Sequence, residues 1–353
     1  TLLGAGGGGS LKQGLDMIQG LKDDGEQIEL DLLDVSEMRD DAYAVMVAGL
    51  GSPVAMLDPD MPRFGPDAVF AYRAFQKAFA AEGKKLEYLY SGEMGGFNTF
   101  TPMLVAILSD KDPAKRIKFV DADGNGRAVP ELNTTINAFY DHPPKPMGMG
   151  SLYGDEIIVY PTTDHSGEQI ARQMCMLYNM RIGFATWGMN KEEITNILDV
   201  GCVTKAQKIG KAILTAKETG SDVMDELKKA FEVREFCRGT IEKLDLRAEG
   251  GFDFGTTVIK GDDGHTYYID FKNENLILRD EKGDTIMTAP EGIGMIDLNN
   301  CFPLTNADTK EGMRVLVTMT PAHPNWWDED HKAYTCWLPE LKKVGMKGDQ
   351  VRY

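Results

Sequence analysis

The residues of this chain best suited to chemistry stand in one short run, Asp121-Ala122-Asp123-Gly124-Asn125-Gly126-Arg127-Ala128-Val129-Pro130-Glu131-Leu132. Two carboxylates one residue apart can serve as a general base or as hard oxygen ligands, and an arginine can hold a carbonyl or a carboxylate. Ile117, Phe119 and Val120 just before them predict a short buried strand. The acidic residues therefore stand at a strand's carboxyl end, where glycines let the chain turn sharply and where α/β proteins bind ligands. Asp121, Asp123, Asn125 and Gly126 also match the opening of a calcium loop, but its closing glutamate falls on Leu132, with Glu131 one residue early. That loop would also follow a strand instead of a helix. The plain alternative is an acidic turn that only caps the next helix.

Strand, glycine turn and helix recur before this run. Thr1 to Leu3 reads as the tail of an apolar element entering Gly4 to Gly9, after which Leu11, Leu15, Ile18 and Leu21 recur at helical spacing. Such a turn offers backbone N–H groups to an anion, which makes Gly7 and Gly8 candidate substrate contacts. A G-x-G-x-x-G match is weak in so dense a glycine run, Asp31 and Asp34 are the only acidic candidates further on, and G-K-[ST] is absent. No NAD or nucleotide is expected. A dinucleotide-dependent oxidoreductase is the reading that tight NAD binding at Gly4 to Gly9 would revive.

A second unit runs from an apolar strand, Ala44 to Leu50, through Gly51-Ser52-Pro53 to a helix over Ala68 to Ala81. In the third, a strand from Leu86 to Tyr90 leads into Ser91-Gly92-Glu93 and Asn98, with Thr101 as N-cap and Pro102 opening a helix through Leu108. If these turns share one sheet edge, Ser52, Glu93, Asn98, Asp121, Asp123, Arg127 and Glu131 converge on one pocket. The rival is that each carboxylate merely caps a helix or solvates a turn.

Further along, a strand from Ile157 to Tyr160 precedes Thr163-Asp164-His165-Ser166, where Ser166 and Gln169 read as a capping box for a helix from Glu168 to Met180. His165 is a candidate metal ligand with Asp121 and Asp123, against the blander reading of an exposed loop histidine. Helices over Lys191 to Leu198, Val203 to Ala216 and Ser221 to Phe231 follow. Past Phe236 the pattern turns to short strands with hairpin turns at Gly250-Gly251, Gly261 to Gly264 and Glu281 to Asp284. Asn273-Glu274-Asn275-Leu276 interrupts one of these strands with polar groups, either facing a cleft between domains or pairing locally as a bulge. The expectation is a layered α/β domain over residues 1–236 with a largely parallel sheet, and a smaller β-rich domain over 237–353.

The chain has 353 residues, 38 of them basic and 55 acidic, for a net charge of -17. Such a field repels nucleic acid and anionic membranes. No apolar run reaches the ~18 residues of a membrane span, and no basic leader precedes an apolar one, so the cytoplasm is the expected compartment. A start at Thr1 without methionine suggests that a leader is missing. Cys175, Cys202, Cys237, Cys301 and Cys336 lie too far apart for a zinc ribbon and read as reduced thiols. Cys202, after a glycine and before a helix, could have its thiol acidified by the helix dipole.

Gly4 to Gly9, Gly51-Ser52-Pro53, Glu93 with Gly95-Gly96 and Asn98, the Asp121 to Leu132 loop, Gly250-Gly251-Phe252, Asn273 to Leu276 and Pro321-Ala322-His323-Pro324 occur in the order found in the DUF917 family. The chain resembles that family, the S-methyl thiohydantoin desulfurase-like proteins, over nearly its whole length. The resemblance implies an α/β domain followed by a β domain, and a hydrolase-like activity on a hydantoin or thiohydantoin cyclic ureide, releasing methanethiol from an S-methyl thiohydantoin. On this reading Glu93, Asp121 and Asp123 are catalytic, and Gly7, Gly8, Ser52, Asn98, Arg127, Glu131 and Asn273 bind substrate. A divalent zinc ion on Asp121, Asp123 and His165 would activate water. The alternatives are a non-catalytic metabolite-binding protein and a subunit of a hydantoinase or oxoprolinase-type complex; a homo-oligomer is the other partner expectation.

Overall fold

The computed structural model describes residues 2–51, 63–140, 142–249 and 252–353. Ser52 and the Gly250-Gly251 turn lie outside them. The chain divides into two compact units that do not follow sequence order. One comprises Leu11–Asn125 and Glu131–Cys202; the other comprises Thr1–Ser10, Gly126–Pro130 and Val203–Tyr353. Compactness thus divides the chain elsewhere than between residues 236 and 237.

The first unit holds strands β1 (Leu32–Leu33), β2 (Ala42–Gly51), β3 (Lys85–Ser91), β4 (Lys118–Asp123), β5 (Met147–Gly150), β6 (Glu156–Val159), β7 (Arg181–Asn190) and β8 (Asp199–Val200). They form one mixed sheet in the order β1-β4-β3-β2-β7-β5-β6, with β8 beside β4. β1, β4, β3 and β2 run parallel, and β7, β5, β6 and β8 join antiparallel. The helix Pro66–Ala81 lies on β5 and β7 because glycines strip that face. A Cβ on Gly150 would stand 2.2 Å from the Asp67 carbonyl oxygen, and one on Gly183 2.4 Å from it. Small Ala68, Ala71 and Ala74 on the helix complete the close approach.

Three local expectations change. The helix Leu11–Asp23 buries Gln13, Gly14, Met17, Gly20 and Leu21 while Leu15 is exposed, because its glycine face is the one that fits: a Cβ on Gly14 would meet the Gly96 oxygen at 2.3 Å. Thr101 lies inside the helix Phe100–Ser109, its hydroxyl bonded back to the Phe97 carbonyl. The helix Asp164–Leu177 is capped by Thr163, whose hydroxyl accepts from the Ser166 N–H while the Thr163 N–H bonds Ser166 Oγ, so it starts earlier than expected.

The second unit is built on an antiparallel sheet of β9 (Arg234–Glu249), β10 (Phe252–Gly261), β11 (Thr266–Lys272), β12 (Glu274–Arg279), β13 (Thr285–Thr288), β14 (Gly292–Asp297), β15 (Pro303–Leu304) and β16 (Arg314–Thr320). Their order is β13-β12-β11-β10-β9-β16-β14-β15. The period of two sorts its side chains: Ile296 and Leu316 pack with Ile209, Ile213, Met224 and Leu227 of two helices, and Met295, Val315 and Val317 with Ile241, Ile259 and Ile269. Those helices, Cys202–Thr219 and Val223–Ala230, pack on this second sheet. Among the described residues no helix is long and apolar enough to cross a membrane.

Candidate functional site

β3 and β4 are parallel neighbours, so their carboxyl ends emerge side by side and the turns after them meet. The Gly124 N–H donates to the Ser91 carbonyl at 2.9 Å, and Asn125 Nδ2 donates to the Gly92 carbonyl at 2.7 Å. Gly124 must be glycine here: a Cβ would lie 2.7 Å from the Gly92 oxygen. The turn carrying Glu93 is thereby locked to the turn carrying Asp123.

Glu93, half-buried, accepts from Asn98 Nδ2 at 2.7 Å. Asn98 in turn grips the end of β2, its Oδ1 accepting from the Gly49 N–H at 2.8 Å and its Nδ2 reaching the Gly49 carbonyl at 3.3 Å. Asp123 is fully buried, and its Oδ1 accepts from the Asn125 N–H at 2.9 Å. Asp121 is buried too, and its carbonyl accepts from the Gly201 N–H. The bridge to β8 sets Asp199 directly opposite Asp123.

Two neighbours register the charge of this corner. Burial pushes the Cys202 thiol well above its usual range, and Asp123 and Asp199 push it further. Burial and these two carboxylates thus act against the helix dipole at Cys202 and favour the protonated thiol. Tyr90 is fully buried and likewise raised by burial and then by Asp123 and Glu193, its hydroxyl donating to the Trp187 carbonyl at 2.8 Å. Tyr90 and Asp199 went unnoticed in the sequence, since β8 is only two residues long and nothing local marks it as the partner of β4.

Glu131 belongs to this unit, its N–H donating to Thr134 Oγ1 at 3.2 Å, and Asn125 Oδ1 accepts from the Ile136 N–H. His165, exposed in the first turn of its helix, pairs with Gln169 Nε2 at 3.0 Å. Among the described residues no group of three or more His, Cys, Asp or Glu side chains is placed to hold a metal ion.

Gly7, Gly8, Arg127 and Asn273 belong to the other unit. Arg127 is buried, and its guanidinium donates to main-chain carbonyls of Ala128, Pro290, Glu291 and Asn275 while lying 4.8 Å from the Trp337 ring centroid. Asn273 has a left-handed φ of 55° and exchanges hydrogen bonds with the main chain of Asp253. The glycine turn is lined by the protein's own carboxylate: Glu274 Oε1 lies 2.1 Å from where a Cβ on Gly7 would stand.

The family model for the N-terminal domain of S-Me-THD-like proteins matches residues 1–161, and that for the C-terminal domain matches residues 162–339. The chain belongs to the S-Me-THD-like family. Among solved structures, the crystal structure of a protein from Chromobacterium violaceum is similar at 22% identity with a TM-score of 0.81, covering 99% of this chain and 94% of that one. That likeness concerns the fold. No curated protein matches the chain.

Proposed function

We propose that the chain hydrolyses an S-methyl thiohydantoin or a closely related cyclic ureide at the acidic corner of the first unit. The observation that carries this is the lock between the Glu93 turn and the Asp123 turn, in a member of a family named for thiohydantoins. Asp123 is the general base and Glu93 the general acid, with Asn98 positioning Glu93.

Water adds to C2 of the ring, one of its protons passing to Asp123 while Glu93 protonates the ring nitrogen of the C=N bond. The tetrahedral carbon then expels the sulfur: the C–S pair leaves with methanethiolate, which takes the proton from Asp123. The new hydroxyl yields its proton to Glu93 and becomes the C2 carbonyl. Thiohydantoin thioether and water give hydantoin and methanethiol, and both carboxyl groups return to their starting states. Arg127, spent on four main-chain carbonyls, anchors its loop instead of holding substrate.

A screen of S-alkyl thiohydantoins and cyclic ureides for released thiol or ring opening tests the reading. The expected result is stoichiometric thiol from an S-methyl thiohydantoin, slowed at least 100-fold in Glu93→Gln. Saturable binding of intact thiohydantoin without turnover, alone or with a hydantoinase-type partner present, would replace the enzyme by a binding protein.

A further inference from the structure

In the second unit, the residues around the N-terminal glycine turn make a second built site, and we infer that it holds a monovalent cation such as potassium or ammonium between Asn275 and Asn306. Both side chains are more than nine-tenths buried. Each amide is oriented by its own nitrogen, Asn275 Nδ2 donating to the Ile293 carbonyl at 2.9 Å and Asn306 Nδ2 to the Asn273 carbonyl at 2.8 Å. The remaining oxygens, Asn275 Oδ1 and Asn306 Oδ1, are buried and have no hydrogen-bond partner among the described residues. A buried amide oxygen without a donor keeps the full cost of leaving water, so two beside one turn call for a ligand.

Both meet at Gly6. A Cβ there would lie 2.9 Å from the Asn275 side chain, and the Gly6 carbonyl accepts from the Asn306 N–H at 2.9 Å. Beside them, the Glu274 carboxylate takes the space that a side chain on Gly7 would need. Neutral amide oxygens next to a single carboxylate suit a weakly hydrated monovalent ion better than a divalent one, which gathers several carboxylates. Arg127 donates to the main-chain carbonyl of Asn275, on the peptide and not on the amide.

Thermal unfolding of the full chain in potassium, ammonium, sodium or choline chloride at one ionic strength tests the inference. Holding ionic strength fixed removes the screening that a net charge of -17 would otherwise feel. Potassium or ammonium should raise Tm saturably, by about 2–4 °C over choline, and Asn275→Ala should abolish the increment. If Asn275→Ala does not fold, Asn306→Ala and the size order of the ions in the wild-type chain decide. Equal Tm in all four salts would mean that water satisfies both oxygens, and would overturn the cation. So would an increment that survives in both variants.

Discussion

Asp123 and Arg127 share one short motif, yet they belong to different compact units and make different contacts. Asp123 is a buried carboxylate at a parallel strand exit, facing Asp199 and within the electrostatic reach of Tyr90 and Cys202. Arg127 is a buried guanidinium whose nitrogens are consumed by the carbonyls of Ala128, Asn275, Pro290 and Glu291. Adjacency in sequence is thus a poor guide to shared chemistry: a motif dense in charged residues can be part reaction site and part anchor.

The contrast is sharpest at Arg127. Arg127→Met should destabilise the second unit by about 3–5 kcal/mol, because it strands buried carbonyls and removes the contact with Trp337. Urea unfolding followed by tryptophan fluorescence measures this, and a loss under about 1 kcal/mol would dissolve the distinction between anchor and reaction site. Gly124→Ala should cost about 1–3 kcal/mol, since the Gly92 oxygen in its way is main chain and yields little. It should also slow turnover by displacing the Glu93 turn, and unchanged kinetics would show that the lock does not position Glu93.

Asn98→Ala should lower stability by about 1–2 kcal/mol through the lost contacts to Gly49. It should reduce kcat about 10-fold with little change in KM, as expected when a positioning residue is removed. Alkaline pH acts through the buried thiols. Burial pushes the Cys175 thiol up to about 11 and Cys237 to about 12, with Cys202 and Cys336 raised further. A raised thiol pKa means that the folded state holds its proton where the unfolded state has lost it. Stability should therefore be flat below about pH 8.5 and fall as pH rises above it. Chemical denaturation from pH 7 to 10 checks the sign, and Cys202 should resist iodoacetamide until the chain unfolds.

Much of this was legible in the residues. The glycine-flanked strand exits after β2, β3 and β4, the helix over 66–81 and the β-rich texture past residue 236 follow from periodicity and turn chemistry, which are local. The helix start near Thr163 was misread because Thr163 with Ser166 and Ser166 with Gln169 both satisfy a capping spacing, and only packing chooses between them. The antiparallel half of the first sheet was hidden, since the glycines of β5 and β7 mark the close approach of a helix and say nothing of strand direction. Arg127 could not be assigned from its neighbours either. Its partners lie on segments more than a hundred residues away in the chain.

The central claim is that Asp123 does chemistry while Arg127 only holds the loop. Its most direct test is thiol release from an S-methyl thiohydantoin by Asp123→Asn under single-turnover conditions, with Tm recorded on the same sample. The asparagine keeps an oxygen to accept the Asn125 N–H, so Tm should stay within about 2 °C of wild type while the rate falls 100- to 10,000-fold, roughly the value of a general base. A wild-type rate in the folded Asp123→Asn chain would contradict the account.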